Sequence, residues 1–347
     1  MKKVVIIGGG FAGSCVAKKL EDKYDITLID SKDYFEFTPS VLRTLVEPLH
    51  VRKIQILHKK YLSKAKTILG QVTNITNTEV FVGKKTFPFD FLVISSGSSY
   101  SLPIKQKNVV IASRGNTLSL HAKKLQNANE ILIIGGGLVG VELAAEIIIM
   151  FPDKKITIIH SHPELLERMG EKARKFAKRF LEKRNVRLLL NEKYVHESKN
   201  KLKNTFITNK NTQITPDLTF MCTGIKPHSD FLKKHFSDSL NKKGFVKVNH
   251  NLEVIGFKNI FAAGDVTDIL EEKTAQNAEL QAKIVVQNIL NSDKKKKRIQ
   301  YISTPRLMVL SLGKKCGILT YKNIVITGII PGIMKSIIEW IEMRKYK

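Results

Sequence analysis

Cysteine is scarce in this chain, tryptophan occurs once, and the 31 acidic residues barely reach half the 58 lysines and arginines. Each shortage excludes something. Cys15, Cys222 and Cys316 stand far apart in a chain of 347 residues. They form no C-x-x-C pair, no zinc spacing and no disulfide framework, so no metal is expected and the compartment is expected to be reducing. No apolar run approaches the roughly 18 residues that would cross a bilayer. The lysines and apolar run at the start lack the small-residue cleavage site of a signal peptide. Position 2 is lysine, not the glycine that N-myristoylation requires. The net charge of +27 admits nucleic acid as a partner in principle, but no helix-turn-helix, zinc-finger or aromatic RNA-binding pattern accompanies it, so none is expected. An anionic membrane surface is another candidate for that charge, and a plain preference for lysine on the surface is the simplest.

A hydrophobic content of 43% over this length is enough for two or three domains with real cores. The first informative stretch is "VVIIGGGFAG". Val4 to Ile7 reads as a parallel strand buried on both faces. Gly8, Gly10 and Gly13 follow at G-x-G-x-x-G spacing, with Phe11 and Ala12 opening a helix. Such a turn aims unpaired amides and the positive end of a helix dipole at a phosphate. The next strand ends in Asp30, 17 residues after Gly13, where a carboxylate can take both hydroxyls of an adenosine ribose. "EILIIGGGLVGVELAAEI" repeats the unit with Gly135, Gly137 and Gly140, but its second strand, "KKITIIHSH", ends in His160. Two such units imply two dinucleotides, one held and one exchanged. With histidines in place of the usual acid, NADPH is expected to serve as well as NADH.

The order of segments implies nesting. "FLVISSG" closes a first part at Gly97. "LTFMCTGIKP" closes the second unit around Gly224. "FAAGD" then brings Gly264 and Asp265. The expected division is 1–112 as the first part of one domain, 113–240 as an inserted domain, 241–300 as the remainder of the first, and 301–347 as a terminal segment of strands and an amphipathic helix.

These motifs resemble the two-dinucleotide flavoproteins, the pyridine nucleotide-disulfide oxidoreductase type. Within them, "GVELAAEIIIMFPDKKITIIHS", "CTGIKP", "SLGKKCG" and Lys335-Ser336 are most similar to the ferroptosis-suppressor and apoptosis-inducing-factor-like branch, with type II NADH dehydrogenases next. The resemblance implies an α/β fold of two Rossmann-like domains, one inserted in the other. It implies FAD on Gly8, Gly10, Phe11, Ala12, Gly13, Asp30, Gly97, Gly264 and Asp265. NADH or NADPH would lie on Gly135, Gly137, Gly140, His160 and Gly224. Asp265 would hold the ribityl chain or its phosphate, or simply cap the helix after it. Glu142 would face the nicotinamide–flavin junction, or merely favour its helix dipole, and Lys335 would join it in catalysis.

The stretch 31–70 lacks the paired cysteines of the disulfide reductases, which leaves a quinone as the implied acceptor. Phe37, Pro39, Ala275 and Gln276 match the quinone-side segments, although Leu280 stands where type II dehydrogenases carry glutamine. A ferredoxin-like carrier and a sulfide:quinone reductase-like reaction are the alternatives. Near the C-terminus, Ile333, Met334, Ile337, Ile338 and Ile341 form an apolar stripe beside Trp340, with Lys335, Arg344, Lys345 and Lys347 around it. That pattern suits a peripheral helix on the cytoplasmic face of a membrane, or the contact of a homodimer.

Overall fold

The computed structural model describes residues 1–100, 103–105, 110–199 and 204–347. Its frame is two parallel sheets. The first runs Ile260–Ala262, Phe91–Ile94, Lys3–Ile7, Asp25–Asp30, Lys66–Leu69 in spatial order. The second runs Arg187–Leu190, Lys155–His160, Glu130–Ile134, Leu218–Met221. The Val/Ile runs form central strands because both their faces are covered. Val4 and Ile6 point into the larger core, and Val5 and Ile7 into a smaller one on the other side. Registers correspond between the sheets: Ile7 lies opposite Ile29, and Ile134 opposite Ile159. This is the expected α/β architecture of two Rossmann-like units.

The strand Ile260–Ala262 pairs with Phe91–Ile94, so the chain returns to the first sheet after building the second. Ser98–Ser99 pairs antiparallel with Lys226–Pro227, and this short ribbon ties the two glycine-ended segments together. Gly97 and Gly224 adjoin it, the Gly97 carbonyl accepting from the amide of His228 at 2.9 Å. The helix Phe11–Leu20 packs along Ala275–Asp293. Across the unit, Arg114 of the helix Ile111–Asn127 is fully buried and forks onto both oxygens of Glu36 at 3.0 and 3.1 Å.

The last part is a three-stranded antiparallel sheet, Met308–Ser311, Gly317–Tyr321 and Ile324–Gly328, followed by the helix Ile329–Arg344. That helix has its polarity reversed. Its buried face carries Lys335, Glu339 and Met343, while Ile333, Ile337, Trp340 and Ile341 are about half exposed. Of the expected stripe, Ile338 alone packs against the core. Just after the helix, Tyr346 is buried, stacked on Phe35 with ring centroids 4.1 Å apart. No helix among the described residues is long and apolar enough to cross a membrane.

Candidate functional site

Each glycine turn is shaped by backbone crowding. Gly8 has φ +96° and Gly135 φ +117°, a region that side chains avoid. A Cβ on Gly13 would overlap the Gly8 carbonyl oxygen, and one on Gly140 would overlap that of Gly135. At Gly10 and Gly137 the opposite holds: a Cβ would meet no atom within 4 Å. Those two glycines are also the N-caps of the helices Phe11–Leu20 and Leu138–Met150, and neither has a side-chain cap. Open space above uncapped amides is the cradle a dinucleotide pyrophosphate needs, so the residues present fit such a group at both turns.

Asp30 closes the first turn. Its Oδ2 accepts from the Gly9 amide at 2.8 Å and lies 3.3 Å from His58 Nε2, while Oδ1 accepts from the Lys32 amide at 3.1 Å. Burial pushes this carboxyl up, but His58, Lys32 and the Gly9 amide outweigh burial and hold it below the ordinary carboxylate range. His58 Nδ1 is 2.7 Å from the Tyr61 hydroxyl, which is 2.7 Å from Ser14 Oγ, and Ser14 donates to the Gly9 carbonyl at 2.8 Å. The network thus returns to the turn it started from. Gly264 packs between Ala12 and Ala278. Asp265 beside it accepts from Ser98 Oγ and Lys105 Nζ, both at 2.7 Å. The expected cap role of Asp265 is not found. The following helix begins only at Ala275, and Thr274 caps it by accepting from the Asn277 amide.

At the second turn, His160 takes the place of Asp30, its Nδ1 accepting from the Gly136 amide at 3.1 Å. The expectation that no carboxylate stands here is corrected by Glu167, whose Oε2 lies 3.3 Å from His160 Nε2. Glu167 arrives from the loop after the strand, seven positions on, where no strand-end motif marks it.

Between the two units lies a buried ionic cluster. Glu142 is in direct contact with Lys335 Nζ and accepts from Ser311 Oγ at 2.7 Å. Ser311 also lies 3.1 Å from Glu146, which accepts from Arg43 at 2.9 Å. Glu339, one turn beyond Lys335, is 2.9 Å from His50. Five segments therefore meet: the turn Thr38–Leu45, the short turn Pro48–His50, the second glycine helix, the strand Met308–Ser311 and the terminal helix. Burial, then the Arg43 guanidinium, push the Lys335 ammonium down from its usual 10.5, while Glu339 and the touching Glu142 carboxylate pull it back up. A buried lysine touching a carboxylate can hold a proton and pass it to an acceptor brought beside it.

The structure thus brings Glu142 and Lys335 together. The other residues expected beside a quinone are more scattered. Phe37 is core, edge-on to Phe11 with centroids 5.7 Å apart; Pro39 opens the turn leading to Arg43; Ala275 is half-buried; Gln276 is exposed. Sequence reasoning missed Arg43, Glu146, Ser311, His58 and Tyr61. A signal existed for Glu146: two acids at i, i+4 inside the otherwise apolar "VELAAEIII" place two carboxylates on one helix face.

The model of the pyridine nucleotide-disulphide oxidoreductases matches residues 2–282. Apoptosis-inducing factor homolog B of Dictyostelium discoideum is 35% identical over 344 residues, covering 91% of this chain and 89% of that protein. Ferroptosis suppressor protein 1 of Taeniopygia guttata is 33% identical over 328 residues, covering 91% and 87%. Among solved structures, the sulfide:quinone oxidoreductase of Aquifex aeolicus superposes with a TM-score of 0.84 at 20% identity, covering 100% of this chain and 91% of that one, a likeness of fold. Both glycine turns and both parallel sheets lie inside the matched region, and the chain belongs to the pyridine nucleotide-disulphide oxidoreductase family, as an NAD(P)H-dependent flavin oxidoreductase of the apoptosis-inducing-factor and ferroptosis-suppressor type.

Proposed function

We propose that this protein is an FAD-dependent NAD(P)H:quinone oxidoreductase working at the surface of a membrane. The observation that carries the reading is the Glu142–Lys335 contact, which joins the second glycine helix to a terminal helix whose far side is exposed isoleucine and tryptophan. Bound FAD supplies the two-electron chemistry between coenzyme and acceptor. The chain's own residues do the rest. The first turn holds one dinucleotide with Asp30 on its ribose, and the second receives the other. A quinone that gains two electrons must also gain two protons, and Lys335 is placed to give one up, with Glu142 sharing it and Ser311 and Arg43 fixing the carboxylates. Burial raises the Cys15 thiol to about 11 and Cys222 to about 12, which leaves both inert and weighs against a sulfide-type cysteine relay. The fold likeness to a sulfide:quinone oxidoreductase is compatible with a quinone acceptor.

The outward face suits lipid. Ile329, Ile330, Ile333, Ile337, Trp340 and Ile341 are all exposed by about half or more, and burying what each still exposes contributes about 1–2 kcal/mol. Arg344 lies over the Trp340 ring at 4.5 Å, an amphipathic pair of the kind that sits at headgroup depth. Cutting the chain at 333 would be a poor test of this, because it also removes the buried Lys335, Glu339, Met343 and Tyr346. Ile333→Glu with Ile337→Glu alters only exposed positions. It is expected to free the protein from anionic vesicles while a soluble short-tailed quinone is still reduced; co-sedimentation equal to wild type would sink the membrane assignment.

The chemical test is Lys335→Met in the flavin-loaded protein. Quinone reduction should fall about a hundredfold, close to 3 kcal/mol of barrier, while flavin reduction by coenzyme stays within a few-fold. In the wild type, kcat/KM for quinone should decline as pH rises and Lys335 loses its proton, at a pH below the ordinary lysine range because the side chain is buried. Unchanged turnover in the variant, with flavin bound, would remove Lys335 from the reaction.

A further inference from the structure

The ring of His160 stands in the position of Asp30, by strand register and by the glycine amide it takes. With Nδ1 accepting, the proton of the neutral ring is on Nε2. Burial lowers the pKa of this histidine, which favours that neutral form. His160 is only 6% exposed, and its Nε2 makes no aligned hydrogen bond although buried. Such an orphaned donor is uncommon in a native interior. The Glu167 carboxylate lies 3.3 Å from it, and the side chain of Glu167 is one-third exposed and forms the rim; the Glu164 backbone also bears on the ring. The other charges nearby are engaged elsewhere: Glu164 with Arg174 at 2.6 Å, Arg168 with Glu272 at 3.3 Å. His162 packs its ring against His160 at 5.2 Å and closes the other side.

A ribose hydroxyl suits both groups. It can accept from His160 Nε2–H and donate to Glu167 at once. A 2′-phosphate can only accept, and it would bring about −1.5 to −2 of charge against a carboxylate that no lysine or arginine pairs with among the described residues. We propose that His160 and Glu167 together read the adenosine ribose of the coenzyme as unphosphorylated, so that the second site selects NADH over NADPH. This replaces the expectation of equal acceptance, and it rests on the reading of that site as the pyridine-nucleotide site.

The test is calorimetric titration of the full flavin-loaded chain with ADP-ribose and with 2′-phospho-ADP-ribose, beside anaerobic flavin reduction by NADH and by NADPH. Wild type should bind ADP-ribose at least about tenfold more tightly than its 2′-phosphate. Glu167→Gln, a part-exposed substitution that keeps the shape, should bring the two within about threefold, chiefly by gaining the phosphorylated ligand. Equal binding by wild type, a ratio untouched by Glu167→Gln, or no binding of either ligand would overturn the inference. Selective binding without flavin reduction by either coenzyme would instead sink the function proposed above and leave the inference standing.

Discussion

At the first glycine turn a carboxylate, Asp30, takes the spare amide, with a histidine, His58, 3.3 Å away. At the second turn an imidazole, His160, takes it, with a carboxylate, Glu167, 3.3 Å away. The backbone is the same and the pair is reversed. The surroundings differ accordingly. Asp30 and His58 are both buried, their network runs on through Tyr61 to Ser14, and Tyr346 seals the aromatic side by packing on Tyr61 and Phe35. Glu167 ends its pair at an open rim. We read the sealed arrangement as one that retains its ligand and the open one as one that exchanges it. What the two turns share is set by sterics, and what separates them is set by which side chain is innermost.

The largest effects should fall on the shared part. Gly13→Ala and Gly140→Ala each force a Cβ into a backbone carbonyl that cannot move without opening the turn. Each should cost about 3 kcal/mol or more in urea unfolding. Gly10→Ala and Gly137→Ala meet open space, so they should leave stability near wild type and weaken only the ligand of their own turn. If Gly13→Ala were as stable as Gly10→Ala, the equivalence of the two turns would be broken.

That division also explains what was readable beforehand. Spacing alone identified both turns, both central strands and Asp30, because a turn that crowded admits few residue types and its neighbours follow in short order along the chain. Glu142 and Lys335 came from likeness to a family, 193 positions apart in sequence, and only the folded chain shows them touching. Arg43 and Ser311 carried no local mark, since a single polar residue in an apolar stretch looks the same whether it caps a turn or pairs with a buried acid. Glu167 escaped because loops, unlike strands, place side chains by a path that spacing does not encode. The terminal helix was legible as amphipathic. Its inward face was not, because the pattern of isoleucines suggests nothing about a buried Lys335 and Glu339 opposite them.

The smallest expected effect sharpens the comparison through pH. Burial drives the His160 pKa below 6.5, against the opposing pull of Glu167. Between that lowered value and 6.5 the unfolded chain binds a proton that the folded one refuses, so stability falls as pH drops below about 6.5. Asp30 behaves differently. Its folded pKa lies below 3.8, so its contribution is fully present above that value and is lost only as pH falls further, through the folded pKa. Acidification should therefore reach the second turn well before the first. His160→Asn, which keeps an acceptor for the Gly136 amide, should lose less stability than wild type when urea unfolding is compared at pH 7.5 and pH 5. Asp30→Asn should show the same change as wild type over that interval. A His160→Asn variant whose stability tracks wild type across the whole range would mean that the ring takes up its proton in the folded state, and that the second turn is as tolerant of charge as an open surface.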